Sequence, residues 1–289
     1  MGFLDGKIGV VTGAAQGLGT AYARALASEG ADVAVCDVKP EVSAVADEIA
    51  ATSGQTVRAY PCDVSDTEAV RGFVDAVLRD FGGVDVVVMN AGIYGSTPMD
   101  LPRDEALSEY QRFMDTNVKS IYVLERAFAP SLVEREGDIV VISTDHILPP
   151  LEPGGTRGGP STDLYDASKW VLNGYIQAWA LGFAANGQNV RVNGIAMGAT
   201  DTPMLRGVFP GGSPPDDVVA GWMTPAQQGQ LMLDLLQDGR TGDLISSEPG
   251  HPVELPPRSG MGQPVSNLPA EQFHHGLMGL EPAIWEPPS

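Results

Sequence analysis

The sequence predicts an α/β fold: a doubly wound parallel sheet of about seven strands with helices on both faces, forming one domain with an extended C-terminal tail. Three observations lead there. Short runs rich in β-branched residues recur from Lys7 to Ser143, namely KIGVVT, ADVAVCD, TVRAYPCD, VDVVVMN and GDIVVIS. Most are apolar on both faces, as strands covered by helices on either side must be. Between them, segments such as Gly17 to Glu29 and Thr67 to Phe81 space Ala, Leu and Val at helical intervals. Finally, glycines gather where the first strand hands over to the first helix.

Taken in order, the five runs give five strands joined by helical crossovers. Helices are expected around Asn117 to Ala129 and Ser161 to Ala185, the second followed by a sixth strand, NVRVNGIA, and a short seventh near GDLI at Gly242 to Ile245. Two stretches interrupt this rhythm. Residues 145–164 hold Pro149, Pro150, Pro153 and Pro160 among four glycines and read as a loop. After Ile245 the chain carries nine prolines, with one short helix expected around Pro269 to Leu280. A catalytic domain over 1–245 and a proline-rich tail over 246–289 follow, because the tail is too short to bury a core of its own.

Seventeen basic residues against thirty-seven acidic ones leave a net charge of −20 over 289 residues, which argues against nucleic-acid or anionic-membrane partners. No apolar stretch reaches the length of a membrane span, and the opening MGFLDGKIGVVTG lacks the order of a signal peptide, so a cytoplasmic protein is expected. Cys36 and Cys62 each end a strand-like run and read as reduced packing residues. The adjacent His274 and His275 have no companion ligands, so no metal site is inferred.

The junction VVTGAAQGLGTAYARAL places Gly13, Gly17 and Gly19 after a strand and at the opening of a helix. There the backbone must turn tightly and approach a pyrophosphate, which the N-terminal N–H groups of the helix stabilise. Gln16 and Leu18 share this turn, which marks the sheet as Rossmann-type. Eighteen residues after Gly19, Asp37 ends the second strand. A carboxylate there accepts both hydroxyls of an adenosine ribose and repels a 2′-phosphate, which favours NAD over NADP. Lys39, two residues on, softens that repulsion.

In DLYDASKW, Tyr165 precedes Lys169 by four residues, so both project from one helix face. An ammonium beside a phenol favours the phenolate. Bringing a phenol from about 10 to about 7 takes roughly 4 kcal/mol.

These motifs together resemble the short-chain dehydrogenase/reductase family from Lys7 to about Met204. The matching stretches, in order, are TGAAQGLG, DV at Asp63 and Val64, NAG at Asn90 to Gly92, NV at Asn117, ISTD at Ile142, YDASK at Tyr165 and RVNGIAMG at Arg191. The resemblance implies that Asp63 and Val64 contact the adenine and that Asn90, Ala91 and Gly92 let a strand end approach the cofactor ribose. It implies that Lys169 binds the nicotinamide ribose and, with the positive ring, lowers the pKa of Tyr165. Tyr165 then serves as the base that takes an alcohol proton, and Asn117 holds a water linking Lys169 to solvent. Gly198, Thr200 and Thr202 would bind the nicotinamide carboxamide.

The sequence also departs from that family. Where a serine is usual at the end of the fifth strand stands Thr144, which supplies the same hydroxyl, with Ser143 as its support or as the alternative one register away. The long 145–164 loop should lie over the substrate side, within reach of His146, which is more often a structural contact than a catalyst. Met197 replaces the usual proline and offers a flexible wall. The segment of about 199–223, with Met204, Phe209 and Trp222, reads as a substrate lid or as subunit packing. Phe273 and Trp285 are candidate anchors for the tail.

The expected activity is NAD-dependent interconversion of a secondary alcohol and a ketone. A non-catalytic dinucleotide-binding regulator and an epimerase or dehydratase are the alternatives. Helices apolar around much of their circumference, as in YIQAWALGFA, need burial on more than one side, so a homo-dimer or homo-tetramer is expected.

Overall fold

The computed structural model describes residues 2–148, 158–159, 161–249 and 255, with backbone alone for 264–266. Seven parallel strands are present as expected: β1 (Ile8–Thr12), β2 (Asp32–Asp37), β3 (Val57–Pro61), β4 (Val86–Met89), β5 (Asp138–Thr144), β6 (Arg191–Met197) and β7 (Leu244–Ser247). An eighth, β8 (Pro264–Ser266), comes from the segment expected to be a tail and pairs with β7. Proline at the first position of an edge strand costs no ladder hydrogen bond.

The sheet order is β3-β2-β1-β4-β5-β6-β7-β8. Chain direction across the sheet reverses between β1 and β4, which opens a crevice beyond their C-terminal ends.

The crossovers are α1 (Gly17–Ser28), α2 (Val42–Ser53), α3 (Thr67–Phe81), α4 (Arg103–Met114), α5 (Ser120–Arg135), α6 (Asp163–Ala185), α7 (Pro203–Arg206), α8 (Asp216–Val219) and α9 (Pro225–Asp238). Strand period 2 sorts the core into two layers. Ile139 and Val141 of β5 pack with Phe73, Leu124, Phe128, Leu172 and Ile176 from α3, α5 and α6. Val140 and Ile142 face the other way, toward Tyr22, Leu26, Ile49, Leu231 and Leu235 from α1, α2 and α9. Local signals set the helix ends. The Asp66 carboxylate accepts from the amides of Glu68 and Ala69 at the start of α3, and Thr224 with Gln227 forms a capping box ahead of α9.

Three boundaries differ from expectation. The helix expected at Asn117 to Ala129 is the middle of a longer one, in which α4 and α5 are continuous through a π-helical turn at Asp115–Lys119. Phe113 is the buried residue of α4, so that helix carries no apolar stripe to announce it. The 145–164 loop is trimmed at both ends, by a 3₁₀ turn at Asp145–Ile147 and by the start of α6 at Asp163. Residues 149–157 and 160, the helix expected around Pro269, and Phe273, His274, His275 and Trp285 lie outside the described residues.

Candidate active site

The glycine turn lies at the mouth of the crevice. Gly13 has φ of 69°, and a Cβ there would stand 2.8 Å from the Ala91 Cα and 2.9 Å from the Asn90 amide nitrogen. A Cβ on Gly19 would lie 2.1 Å from the Gly13 carbonyl oxygen. Both positions therefore admit only glycine if α1 is to start this close to β1. The two strand ends are tied together as well. Asn90 Nδ2 donates to the carbonyls of Thr12 and Gly13 at 2.9 and 3.1 Å, while Thr12 Oγ1 accepts from the Asn90 and Ala91 amides. The asparagine side chain is thus spent on the turn, leaving its main chain to face the crevice. Gln16, the N-cap of α1, makes no side-chain cap, and the first turn carries no acid. Free N–H groups at the end of a 12-residue helix, behind a cradle that any Cβ would fill, fit a dinucleotide pyrophosphate. Leu18 turns its side chain into the core, so its contribution to the crevice is backbone.

Asp37 ends β2 beside this turn. Its two oxygens accept from the Ala15 and Lys39 amides, each at 2.9 Å, which orients the carboxylate at the ribose end of the crevice. The Lys39 ammonium reaches Gln16 Oε1 at 3.0 Å, on the same rim. After β3, Asp63 closes a turn by accepting from the amide and hydroxyl of Ser65, and Val64 is buried.

At the other end of the crevice, α6 delivers Tyr165 and Lys169, 5 % and 4 % exposed. The Lys169 ammonium donates to the Ile142 carbonyl at 2.9 Å and stands 5.9 Å from the centre of the Tyr165 ring. Asn117 occupies the π-helical turn and is completely buried. Its Oδ1 accepts from the Ile93 amide at 2.8 Å, and its Nδ2 donates to the Ile93 carbonyl and to Ser168 Oγ, each at 3.0 Å. Ser168 in turn donates to the Tyr165 carbonyl. A π turn inside an α-helix re-aims side chains, and here it points an amide into the loop after β4 and the first turn of α6. Because that amide is fully engaged by protein, a water relay through Asn117 falls to its main chain. Gly92 completes the wall: a Cβ there would press on Asn117 Oδ1 at 3.3 Å and Lys169 Nζ at 3.5 Å.

Of the two hydroxyls at the end of β5, that of Thr144 is the one near enough to Tyr165 to oppose the rise of its pKa. Ser143 is completely buried, and its hydroxyl has no hydrogen-bond partner among the described residues. Alternation along the strand sends the two side chains to opposite faces, which decides the register left open by the sequence.

In the protein alone, without the positive nicotinamide ring that the expectation includes, burial sets the protonation pattern. Burial pushes the Tyr165 phenol well above its ordinary range; the nearby Thr144 hydroxyl opposes this, while Asp145, Asp166 and Tyr94 add to it. Burial brings Lys169 down to about 8. The ammonium expected to acidify the phenol is drawn to the Ile142 carbonyl, and two carboxylates near Tyr165 favour its neutral form.

Sequence reasoning missed part of the cluster. Tyr94 stands edge-on to Tyr165 with ring centres 4.8 Å apart, and the His146 ring stands edge-on to Tyr165 at 5.6 Å. His146 Nδ1 is 2.8 Å from an Asp166 oxygen, and the other oxygen of Asp166 accepts from Thr162. The available signals were an aromatic residue two positions past NAG and an acid immediately after Tyr165.

The segment after β6 closes the site. Thr202 caps α7, its hydroxyl accepting from the Leu205 amide, and lies 3.4 Å from where a Gly17 Cβ would be, so it spans the glycine turn. Thr200 turns inward, donating to the Gly198 carbonyl and accepting from Gln228; its hydroxyl braces the root of the lid, and any cofactor contact there is main-chain. Gly198 packs where a Cβ would strike Pro249 and the Ser247 carbonyl. Met197 ends β6 between Thr144 and Ser247. Main-chain bonds from Met223 to Ala199 and from Asp201 to Met223 pin the lid at both ends. Beyond them, Met204 is 42 % exposed on α7, while Phe209 and Trp222 pack together at 5.7 Å.

Doubly wound sheets with a dinucleotide cradle at the switch point form a large class of oxidoreductases, and this chain is of that class by fold. Residues 7–211 match the short chain dehydrogenase family, so the chain belongs to it. It is 37% identical over 206 residues to an uncharacterised oxidoreductase of Mycobacterium tuberculosis, covering 71% of this chain and 78% of that protein. Among solved structures it resembles a 7α-hydroxysteroid dehydrogenase complexed with NADH and 7-oxo glycochenodeoxycholic acid, with a TM-score of 0.74, 26% identity, and coverage of 87% of this chain and 96% of that one. It also resembles a short chain dehydrogenase of Burkholderia cenocepacia in complex with NADP, with a TM-score of 0.71, 30% identity, and coverage of 85% and 97%. No helix among the described residues is long and apolar enough to cross a membrane.

Proposed function

We propose that this protein is an NAD-dependent dehydrogenase interconverting a secondary alcohol and a ketone, with Tyr165 as general acid and base. The observation that carries this reading is the buried Tyr165 with the Lys169 ammonium 5.9 Å from its ring centre and Thr144 beside it, at the end of a dinucleotide-shaped crevice. When bound, the nicotinamide supplies the hydride acceptor or donor and a positive ring. Thr144 Oγ and Tyr165 Oη hold the substrate oxygen. Tyr165 takes the carbinol proton in oxidation and returns it to the carbonyl oxygen in reduction. Lys169 orients the ribose and provides positive charge near the phenol, and Asn117 holds the α6 start against the loop after β4. Tyr94 and the buried strand ends keep bulk water from the pair.

Asp37 supports NAD: its oriented carboxylate meets the ribose hydroxyls and repels a 2′-phosphate by about 4 kcal/mol at contact distance. The pairing of the Lys39 ammonium with Gln16 keeps that cation off the carboxylate. Exposed Tyr122 on α5 and Trp170, Val171 and Leu181 on α6 support a homo-dimer or homo-tetramer. The free thiols of Cys36 and Cys62 suit the reducing cytoplasm.

The test mixes the protein with NAD and a panel of secondary alcohols and follows reduced nicotinamide by its absorbance. Turnover by the wild type, loss of at least about a thousandfold in Tyr165→Phe, and unchanged dinucleotide affinity are expected. Dinucleotide binding without turnover of any alcohol favours a regulator, and full activity of Tyr165→Phe removes the assigned base.

A further inference from the structure

We propose that His146, held by Asp166, is a specificity-determining residue that selects substrates bearing a neutral hydroxyl on the carbon next to the reacting carbinol. The inference rests on the proposed function, since it takes Tyr165 and Thr144 as the holders of the reacting oxygen. His146 lies on the 3₁₀ turn two residues beyond Thr144, with its ring centre 5.6 Å from that of Tyr165 and nearly perpendicular to it at 83°. Its Nδ1 faces Asp166 Oδ1 at 2.8 Å, and the other Asp166 oxygen is fixed by the Thr162 hydroxyl at 2.9 Å. In the neutral imidazole, a carboxylate facing Nδ1 draws the proton to that nitrogen and leaves Nε2 as the acceptor. Nε2 has no hydrogen-bond partner among the described residues.

An acceptor without a partner among the described residues, on a ring 5.6 Å from that of Tyr165, is a binding feature in search of a donor. Vicinal oxygens on a small carbon skeleton stand roughly a hydrogen-bond length apart, so a hydroxyl adjacent to the carbinol falls on the His146 side of the pair. The carboxylate of Asp166, behind the His146 ring, disfavours an anionic substituent at that position. The ring of Tyr94, 4.8 Å from Tyr165 and 6.4 Å from His146, adds an aromatic face to the site. This combination describes a 1,2-diol or an α-hydroxy ketone rather than a simple alcohol.

The experiment compares kcat/KM for cis-1,2-cyclohexanediol and cyclohexanol with NAD, using the full chain. The diol is expected to be favoured about tenfold in the wild type, because a site built around a hydrogen bond discriminates against the analogue lacking its partner. His146→Ala should bring the ratio to within about twofold of unity, with most of the change in KM for the diol. His146→Gln restores an amide acceptor and should recover part of the ratio, and Asp166→Ala should lower it by freeing the ring. Thermal melts confirm that each variant is folded. A wild type that prefers cyclohexanol, or a ratio that His146→Ala leaves intact, overturns the proposal while the dehydrogenase reading stands. If neither compound is turned over, the alcohol panel tests the dehydrogenase reading and ligand-observed NMR with NAD present decides the inference: equal binding of diol and cyclohexanol, or a diol preference kept by His146→Ala, overturns it.

Discussion

Lys169→Met separates what the lysine costs the fold from what it does in the site. Lys169 is buried, and burial alone brings its pKa from the ordinary 10.5 to about 8. That drop means the folded protein holds the ammonium about 3 kcal/mol less favourably than the unfolded chain does. Below pH 8 both states carry the proton and the penalty is complete. Between about pH 8 and 10.5 the folded protein releases the proton while the unfolded chain keeps it. The unfolded state then binds more protons, and stability rises with pH through that window. Methionine has a similar length and no charge, so the variant lacks this rise, although it also loses the donor to the Ile142 carbonyl at 2.9 Å. Urea unfolding of both proteins at fixed concentration, from pH 7 to pH 10, should show wild-type stability gaining about 2.5 kcal/mol on the variant. Titrating groups remote from Lys169 cancel in that difference. Parallel stability curves would refute the reasoning, because they would mean that Lys169 enters the fold without desolvation.

Two further outcomes test the scaffold. In Gly19→Ala the new methyl meets the Gly13 carbonyl oxygen at 2.1 Å, so dinucleotide affinity measured by fluorescence of the reduced nicotinamide should fall at least about a hundredfold; Gly72→Ala, inside α3 with nothing within 4 Å, should bind normally and gain about 0.5–1 kcal/mol in urea unfolding. Tyr22→Phe removes a fully buried hydroxyl that has no hydrogen-bond partner among the described residues and whose ionisation burial pushes far above the ordinary range, so chemical denaturation should show a gain of about 1 kcal/mol, and a loss would reveal a hidden partner.

How much of this site could be read in advance depended on whether the signal was local. Gly13, Gly17 and Gly19 announce a turn because tight geometry leaves no alternative residue, and Val-rich runs announce buried strands because both faces must be covered. Helix α4 was silent, since a helix that buries little beyond Phe113 has no stripe to display. The eighth strand was silent for a related reason: Pro264–Ser266 joins the sheet by backbone pairing to β7, which composition does not encode. Thr200 shows the limit of motif reading, as its hydroxyl fits the expected cofactor segment by position yet is committed to Gly198 and Gln228.

The sequence by itself determined the winding of the sheet, the glycine cradle, the acid at the end of β2, and the tyrosine and lysine on one helix face, because each depends on residues a few positions apart. Only the tertiary structure decided which hydroxyl meets Tyr165, that Asn117 is spent on Ile93 and Ser168, and that His146, Asp166 and Tyr94 gather around the tyrosine. Burial and through-space charge set those properties, and both arise from residues that the chain holds far apart until the sheet brings their strand ends together.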